Sequence, residues 1–259
     1  MTRVYANWPM NVCQYGAEGT YGTAADATGI WRGPFGGFED DNKVEEFDED
    51  VGSYAVTRQE FLTWMGVNVS FPAAPMNFSQ LPIILKASVL EASPSGTGPY
   101  IRQYNAAVGD VDPEIQPFTL RIGNKRAAAD VQVLPYSFVR EWELSGKAGE
   151  LWKLSGTWTA PRRTAGAFTA NVPLRAFDPA IFAKTLLYID NSGGTIGTTQ
   201  VTGVLLAASI KYTNGVEWLP VGDGNLYATG YKLGKPKVIF SLTFELEQDG
   251  SNSVVATER

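Results

Sequence analysis

The chain has 259 residues, a net charge of −6 at neutral pH, no histidine and a single cysteine, Cys13. These counts remove the commonest general base and the commonest metal ligand together, and they exclude an internal disulfide framework and a Cys/His zinc site. Twenty-seven Gly and fifteen Pro, with abundant Thr, Val, Tyr and Trp, favour strands and turns, and the length suffices for a single domain over 1–259 with a sizeable core.

Residues 1–28 are rich in Gly, Ala and Thr without a strong period, and read as an N-terminal arm or loop. Cys13 then sits near a mobile end, with no histidine to activate it. The opening, MTRVYANWPMNVCQ, has no apolar segment of the secretory type, and no stretch approaches the ~20 apolar residues that cross a bilayer. The expectation is a protein made in a cytoplasm, with no membrane partner. Gly29–Phe38 reads as a short strand. The acidic run that follows holds Glu39, Asp40, Asp41, Glu45, Glu46, Asp48, Glu49 and Asp50 against Lys43 alone. It carries −7 by itself and leaves +1 for the rest of the chain. Such a run reads as a solvated loop over 39–50. Asp40, Asp41 and Asn42 offer oxygens for calcium, yet they lack the ligand spacing, central Gly and terminal Glu of an EF-hand loop. A nearly neutral body has no broad electrostatic footprint for phosphate.

Tyr54–Phe71 reads as strand. Residues 77–91 show Leu81, Ile84, Leu85, Ser88 and Val89 at helical spacing, with Asn77 or Ser79 as cap and Pro82 in the first turn. From residue 99 to 250 the chain reads as strand and turn. Strands are predicted at 100–104, 118–122, 129–134, 138–144, 151–159, 186–189, 201–213 and 238–247. Gly123-Asn124 and Asn214-Gly215 are hairpin signals, and Asp178-Pro179 opens a helical turn.

The segment with most information is Tyr136–Arg163. It reads as two long strands joined by a turn at Gly146–Gly149. On the second strand Trp152, Leu154, Gly156 and Trp158 point one way, and Lys153, Ser155, Thr157 and Thr159 the other. On the first, Phe138, Arg140, Trp142 and Leu144 alternate with Val139, Glu141 and Glu143. A period of two gives one dry and one wet face, as in a sheet that meets water on one side. The chain has no phosphate loop, no dinucleotide fingerprint and no serine–histidine pair. Glu141 and Glu143 lie about 7 Å apart by strand rise. That spacing suits a glycosidase pair, but a solvated acidic stripe is the simpler reading. No catalytic residue, cofactor or metal site emerges.

Several segments in order resemble the major tail tube proteins of long-tailed (siphovirus-like) bacteriophages. These are Thr20–Thr28 (TYGTAADAT), Gly52–Arg58 after the acidic run, and the Leu-Pro step in Asn77–Leu85. Leu144–Glu150 followed by Leu-Trp-Lys-Leu-Ser, and Leu187–Thr198, complete the set, which spans about residues 15–255. The resemblance implies a mainly β fold, a β-sandwich or barrel-like unit with one flanking α-helix. It implies hexameric rings that stack into a tube in the virion tail, assembled in the host cytoplasm. Its partners would be further copies of the chain, a tape measure protein and tail tip and terminator proteins, with duplex DNA passing non-specifically through the lumen. Four long strands per subunit would make a barrel of about 24 strands and a backbone diameter on the order of 45 Å. Chains of that family continue, on this resemblance, past the polar stretch that ends here at Arg259, which leaves the C-terminal sheet edge open.

Under this reading Glu141, Glu143, Ser155, Thr157 and Thr159 line the lumen, a face that must let phosphate slide. The competing assignment gives the lumen to 201–213 with 238–247. The acidic run and the N-terminal arm are the expected ring-to-ring contacts, opposite Lys232, Lys235 and Lys237. A carbohydrate- or host-binding β-sandwich of a virion is the alternative function.

Overall fold

The computed structural model describes residues 10–49, 57–89, 95–96, 104, 115–125, 127–195, 197–202 and 204–245. Its elements in chain order begin with β1 (Asn11–Ala17), β2 (Gly29–Ile30), β3 (Phe38–Asp40), β4 (Lys43–Glu49), β5 (Thr57–Trp64), β6 (Val67–Pro75) and α1 (Leu81–Lys86). They continue with β7 (Phe118–Asn124), β8 (Ala127–Lys147), β9 (Lys153–Ala160), β10 (Thr164–Ala165), β11 (Leu187–Tyr188), β12 (Gln200–Val201), β13 (Leu205–Thr213), β14 (Val216–Leu219), β15 (Gly230–Leu233) and β16 (Lys237–Phe244). The fold is mainly β with antiparallel pairing and one short helix, as the composition predicts.

The architecture turns on β8, a strand of 21 residues. Its first half pairs with β7, which pairs with β1 and so carries β2. Its second half pairs with β13 on one side and β9 on the other, and β9 carries β6 and β3. β16 closes the row beyond β13. Two sheet halves thus face each other across a common core. Tyr15, Phe118, Leu120 and Ile122 come from one half; Val69, Phe71, Trp142 and Trp158 come from the other; Ile83 and Ile84 of α1 join them.

The predicted strands at 129–134 and 138–144 are therefore one strand with a bend. Two devices make the bend. Tyr136 takes a left-handed backbone, φ 58°, which is uncommon for a bulky residue. A register shift between Val139 and Glu141 then pushes Arg140 outward. The bulge resets the alternation, so Val139 rather than Arg140 joins Trp142 in the core.

Glu18 holds the first device in place. Its carboxylate is buried at 3% exposure. It accepts hydrogen bonds from the Thr119 hydroxyl at 2.6 Å, the Tyr136 N–H at 2.8 Å and the Gly22 N–H at 2.9 Å. Glu18→Ala leaves all three donors without that acceptor and is expected to cost about 2–4 kcal/mol. Glu18→Gln, which keeps one acceptor oxygen, should cost less than half as much in urea titrations.

Asn214 holds the second device. Its backbone N–H donates to Arg140 O at 3.0 Å, its side-chain amide donates to Val139 O, and its Oδ1 accepts from Val216 N–H at 3.0 Å. Asn214→Ala should cost about 2–3 kcal/mol for the buried groups it strands, again read by urea unfolding. Asn214-Gly215 is not a hairpin turn, because β13 and β14 do not pair with each other. It is a corner that sends the chain from the sheet into the β14–β15 ribbon, with Gly215 at φ +68°.

Other expectations are corrected. The supposed arm contains β1, which pairs along its whole length with β7. Gln14 is buried within it because its amide bridges the backbone N–H and C=O of Thr169, at 2.9 and 3.0 Å. Cys13 lies in the core, where burial pushes its thiol well above the usual range. The acidic run is no loop, because β3 and β4 occupy most of it and β4 forms a ribbon with β5. The helix is shorter than 77–91. Gln80 is its N-cap residue and makes no side-chain cap bond, while Asn77 Oδ1 accepts instead from Ser79 and Asp178 N–H. The helical turn expected at Asp178-Pro179 begins later, as a 3-10 turn at Phe182–Lys184. Residues 1–9, the stretch 50–56, all but Tyr104 of the strand expected at 100–104 and the tail 246–259 lie outside the described residues.

Candidate interaction surface

The row β16–β13–β8–β9–β6 has two faces. One packs on α1, where Trp142 Nε1 donates to Ser88 Oγ at 3.1 Å and Tyr212 stacks on Trp142 at 5.6 Å. The opposite face is open and polar. A shallow cleft of about 140 Å³ is lined there by Ser70, Glu141, Glu143, Ser155, Thr157 and Lys211. Lys211 Nζ lies 3.2 Å from Glu141 Oε2. Four of the five lumen candidates, Glu141, Glu143, Ser155 and Thr157, are thus brought together.

The fifth is not with them. Thr159 is on the same side of its strand but only 5% exposed. Its hydroxyl accepts from Trp218 Nε1 at 2.8 Å. The sheet face is capped at that end by a small cluster in which Tyr136, Phe138, Val216, Trp218 and Tyr231 pack together. Burial, then the neighbouring Tyr231, Tyr21 and Glu18, push the Tyr136 phenol up to about 12. Sequence alternation correctly sets the side for Thr159, but it cannot see the β14–β15 ribbon folding over the top.

The hairpin of the competing assignment, 201–213 with 238–247, lies in the same row. β13 and β16 continue the row beside β8, so Ser209, Lys211 and Thr213 lie in rungs with Ser145, Glu143 and Glu141.

The charged contact candidates are dispersed. Asp40 is engaged by Arg163 at 2.7 Å, and Lys232 by Glu217 at 2.7 Å. Glu45 and Glu46 stand on the exposed β4–β5 ribbon beside the exposed Val44, Phe47, Phe61 and Leu62. Asp41 lies between β3 and β4. Of Asp48 and Glu49 only the backbone is described, and Asp50 lies outside the described residues. Among the described residues, no ion pair joins the acidic run to Lys232, Lys235 or Lys237. No group of three or more His, Cys, Asp or Glu among them is placed to hold a metal ion.

Two features escaped the sequence reading. A cleft of about 500 Å³ opens at the base of the ribbon, lined by Asp41, Lys43, Trp64, Arg140, Glu217 and Trp218 among others. β16 is exposed along nearly its whole length, and Phe240 is 67% exposed. Val238, Ile239 and Leu242 are exposed beside it. The signal was present in the sequence KVIFSLTF, where Val238, Phe240, Leu242 and Phe244 alternate onto one strand face and so ask for cover there.

No protein-family model and no curated protein matches this chain.

Proposed function

We propose that the chain is the subunit of a tube, a tail tube protein that polymerises as stacked rings through which duplex DNA passes. One observation carries the reading. β16 is an edge strand, paired on one side only among the described residues, with Val238, Phe240 and Leu242 exposed on one face and Ile239 on the other. An exposed apolar edge is an aggregation hazard that a lasting partner strand or surface removes. The polar face with Glu141, Glu143, Ser155 and Thr157 on the side away from α1 supports it further, since a bore must not grip phosphate. The reading carries no reaction, and we propose a conduit and not an enzyme.

Negative-stain electron microscopy of the purified protein, concentrated at moderate salt, tests this. The expected result is rings or hollow tubes with a bore wide enough for duplex DNA. Monomers at every concentration, with or without a preformed tail tip, overturn it. The cleft at the ribbon base favours one other reading, a glycan-binding module. Trp64 and Trp218 offer stacking faces there, and Asp41 and Arg140 offer hydrogen-bonding groups. Monomers that bind a glycan array would establish that reading instead.

A further inference from the structure

Among the described residues the sheet row ends in β16 on one side and in β6, which carries β3, on the other, and their chemistry matches. Registers align Lys237, Thr213, Glu141, Thr157 and Ser70 in one rung across five strands. Val238 and Phe71 end the next rung. Phe240 shares a rung with Ile210, Leu144, Leu154 and Ala74. At the β16 end, the exposed Lys235 and Lys237 precede the exposed Val238, Phe240 and Leu242. At the β6 end, β3 places Glu39 beside Asn68 and Asp40 beside Val67. Farther along that end, past Pro75, Phe78, Leu174 and Phe177 are exposed. The two segments are linked directly: Asn77 Nδ2 donates to Ala176 O at 3.0 Å, and Phe78 N–H donates to Asp178 O at 3.0 Å.

Along one common direction, each end therefore has charge first and apolar surface after it. Lys235 precedes β16 by two residues and so lies beyond the Lys237–Ser70 rung, on the side toward Asn68 and Glu39. Among the described residues neither Lys235, Lys237 nor Glu39 has an ion-pair partner.

Resting on the tube reading, we propose that the Lys235–Leu242 edge of one copy docks laterally on the Glu39–Asp40 and Phe78–Phe177 edge of a second copy. The contact is heterologous, with different patches on the two sides, so repetition closes a ring or runs on as a filament. Antiparallel alternation along the row sets the orientation. β16 and β6 run the same way, and β3 runs opposite to both, so β16 meets β3 antiparallel in a ring of equivalent copies. The acid–lysine complementarity thus works at the seam within a ring and not between rings. The partner is a further copy of this chain. Charge sets register and approach, and the apolar row supplies most of the affinity.

A disulfide test separates this from the reading on which it rests. Adjacent strands bring Cα atoms within bridging range, and the native Cys13 is buried and silent. Lys235→Cys and Glu39→Cys are combined in one chain, assembled, and mildly oxidised. The expected result is a covalent ladder on a non-reducing gel that stops at a fixed ring number, with each single variant giving no ladder. Tubes in the microscope without a ladder overturn the seam and leave the tube reading standing. A ladder that extends without limit also overturns it, because the contact then runs between rings. A wild-type protein that forms no tubes overturns both. As an independent measurement, Lys235→Glu should raise the critical concentration about tenfold, and Glu39→Lys in the same chain should restore it. Failure of the swap to restore assembly, with both chains folded, counts against the seam.

Discussion

Replacing Phe240 by aspartate is expected to raise the critical concentration for assembly about 30- to 150-fold while leaving the subunit folded. The side chain is 67% exposed in the single chain, so the fold gains little from it and Tm should stay within a degree or two. Within an assembly the same ring would be covered. Burying a phenylalanine is worth about 1.5–3 kcal/mol. A loss of about 2–3 kcal/mol per joint weakens each joint about 30- to 150-fold. Every subunit of a polymer makes that joint, so the critical concentration should rise by the same factor. The desolvation of a carboxylate pushes further in the same direction. Sedimentation of wild type and Phe240→Asp across a concentration series measures it. Equal critical concentrations would show that β16 stays outside the contacts, and a lowered Tm would show that Phe240 packs in the subunit after all.

The other large effect is on the subunit itself. Trp158 is 1% exposed and sits where the sheet halves meet. Its ring meets Phe118 edge-on at 5.9 Å and Phe71 at 6.2 Å. Trp158→Ala should cost about 3–5 kcal/mol through lost transfer energy and the cavity left behind. Against a typical total of about 5–15 kcal/mol, that leaves a marginal protein. Trp158→Phe should cost far less. It keeps most of the volume, and it removes an indole N–H that has no hydrogen-bond partner among the described residues. Urea unfolding of the three proteins gives the order, and a Trp158→Phe as damaging as Trp158→Ala would show that the indole shape, not buried volume, is what the site requires.

The hairpin from Tyr136 to Arg163 was legible because it alternates, and alternation is what a half-wet sheet writes into a sequence. Trp142, Leu154 and Trp158 fall where that period puts them. Arg140 does not, since a bulge consumes one residue without a compositional mark. β1 was hidden by Gln14 and Gly16. Gln14 reads as solvent-facing until Thr169 is known to satisfy it. Gly16 reads as a loop glycine until Asp26 O is found in the space its Cβ would take. β4 was hidden by its charge, because Glu45 and Glu46 in sequence resemble a solvated loop and the pairing with β5 is a matter of partner, not composition. For the surface, Glu141, Glu143, Ser155 and Thr157 were readable as a stripe. The open ends of the row were not, because an edge is defined by what lies beside it in space.

The bent strand β8 has one more consequence. Its backbone belongs to both halves of the sandwich, with β7 on one stretch and β9 and β13 on the other. Neither half can open without breaking the ladder that the other needs. Amide hydrogens from Val131 to Leu144, Pro135 having none, should therefore exchange only through global opening and share one free energy, and the β4–β5 ribbon, which among the described residues pairs only with itself, should exchange freely by local fraying.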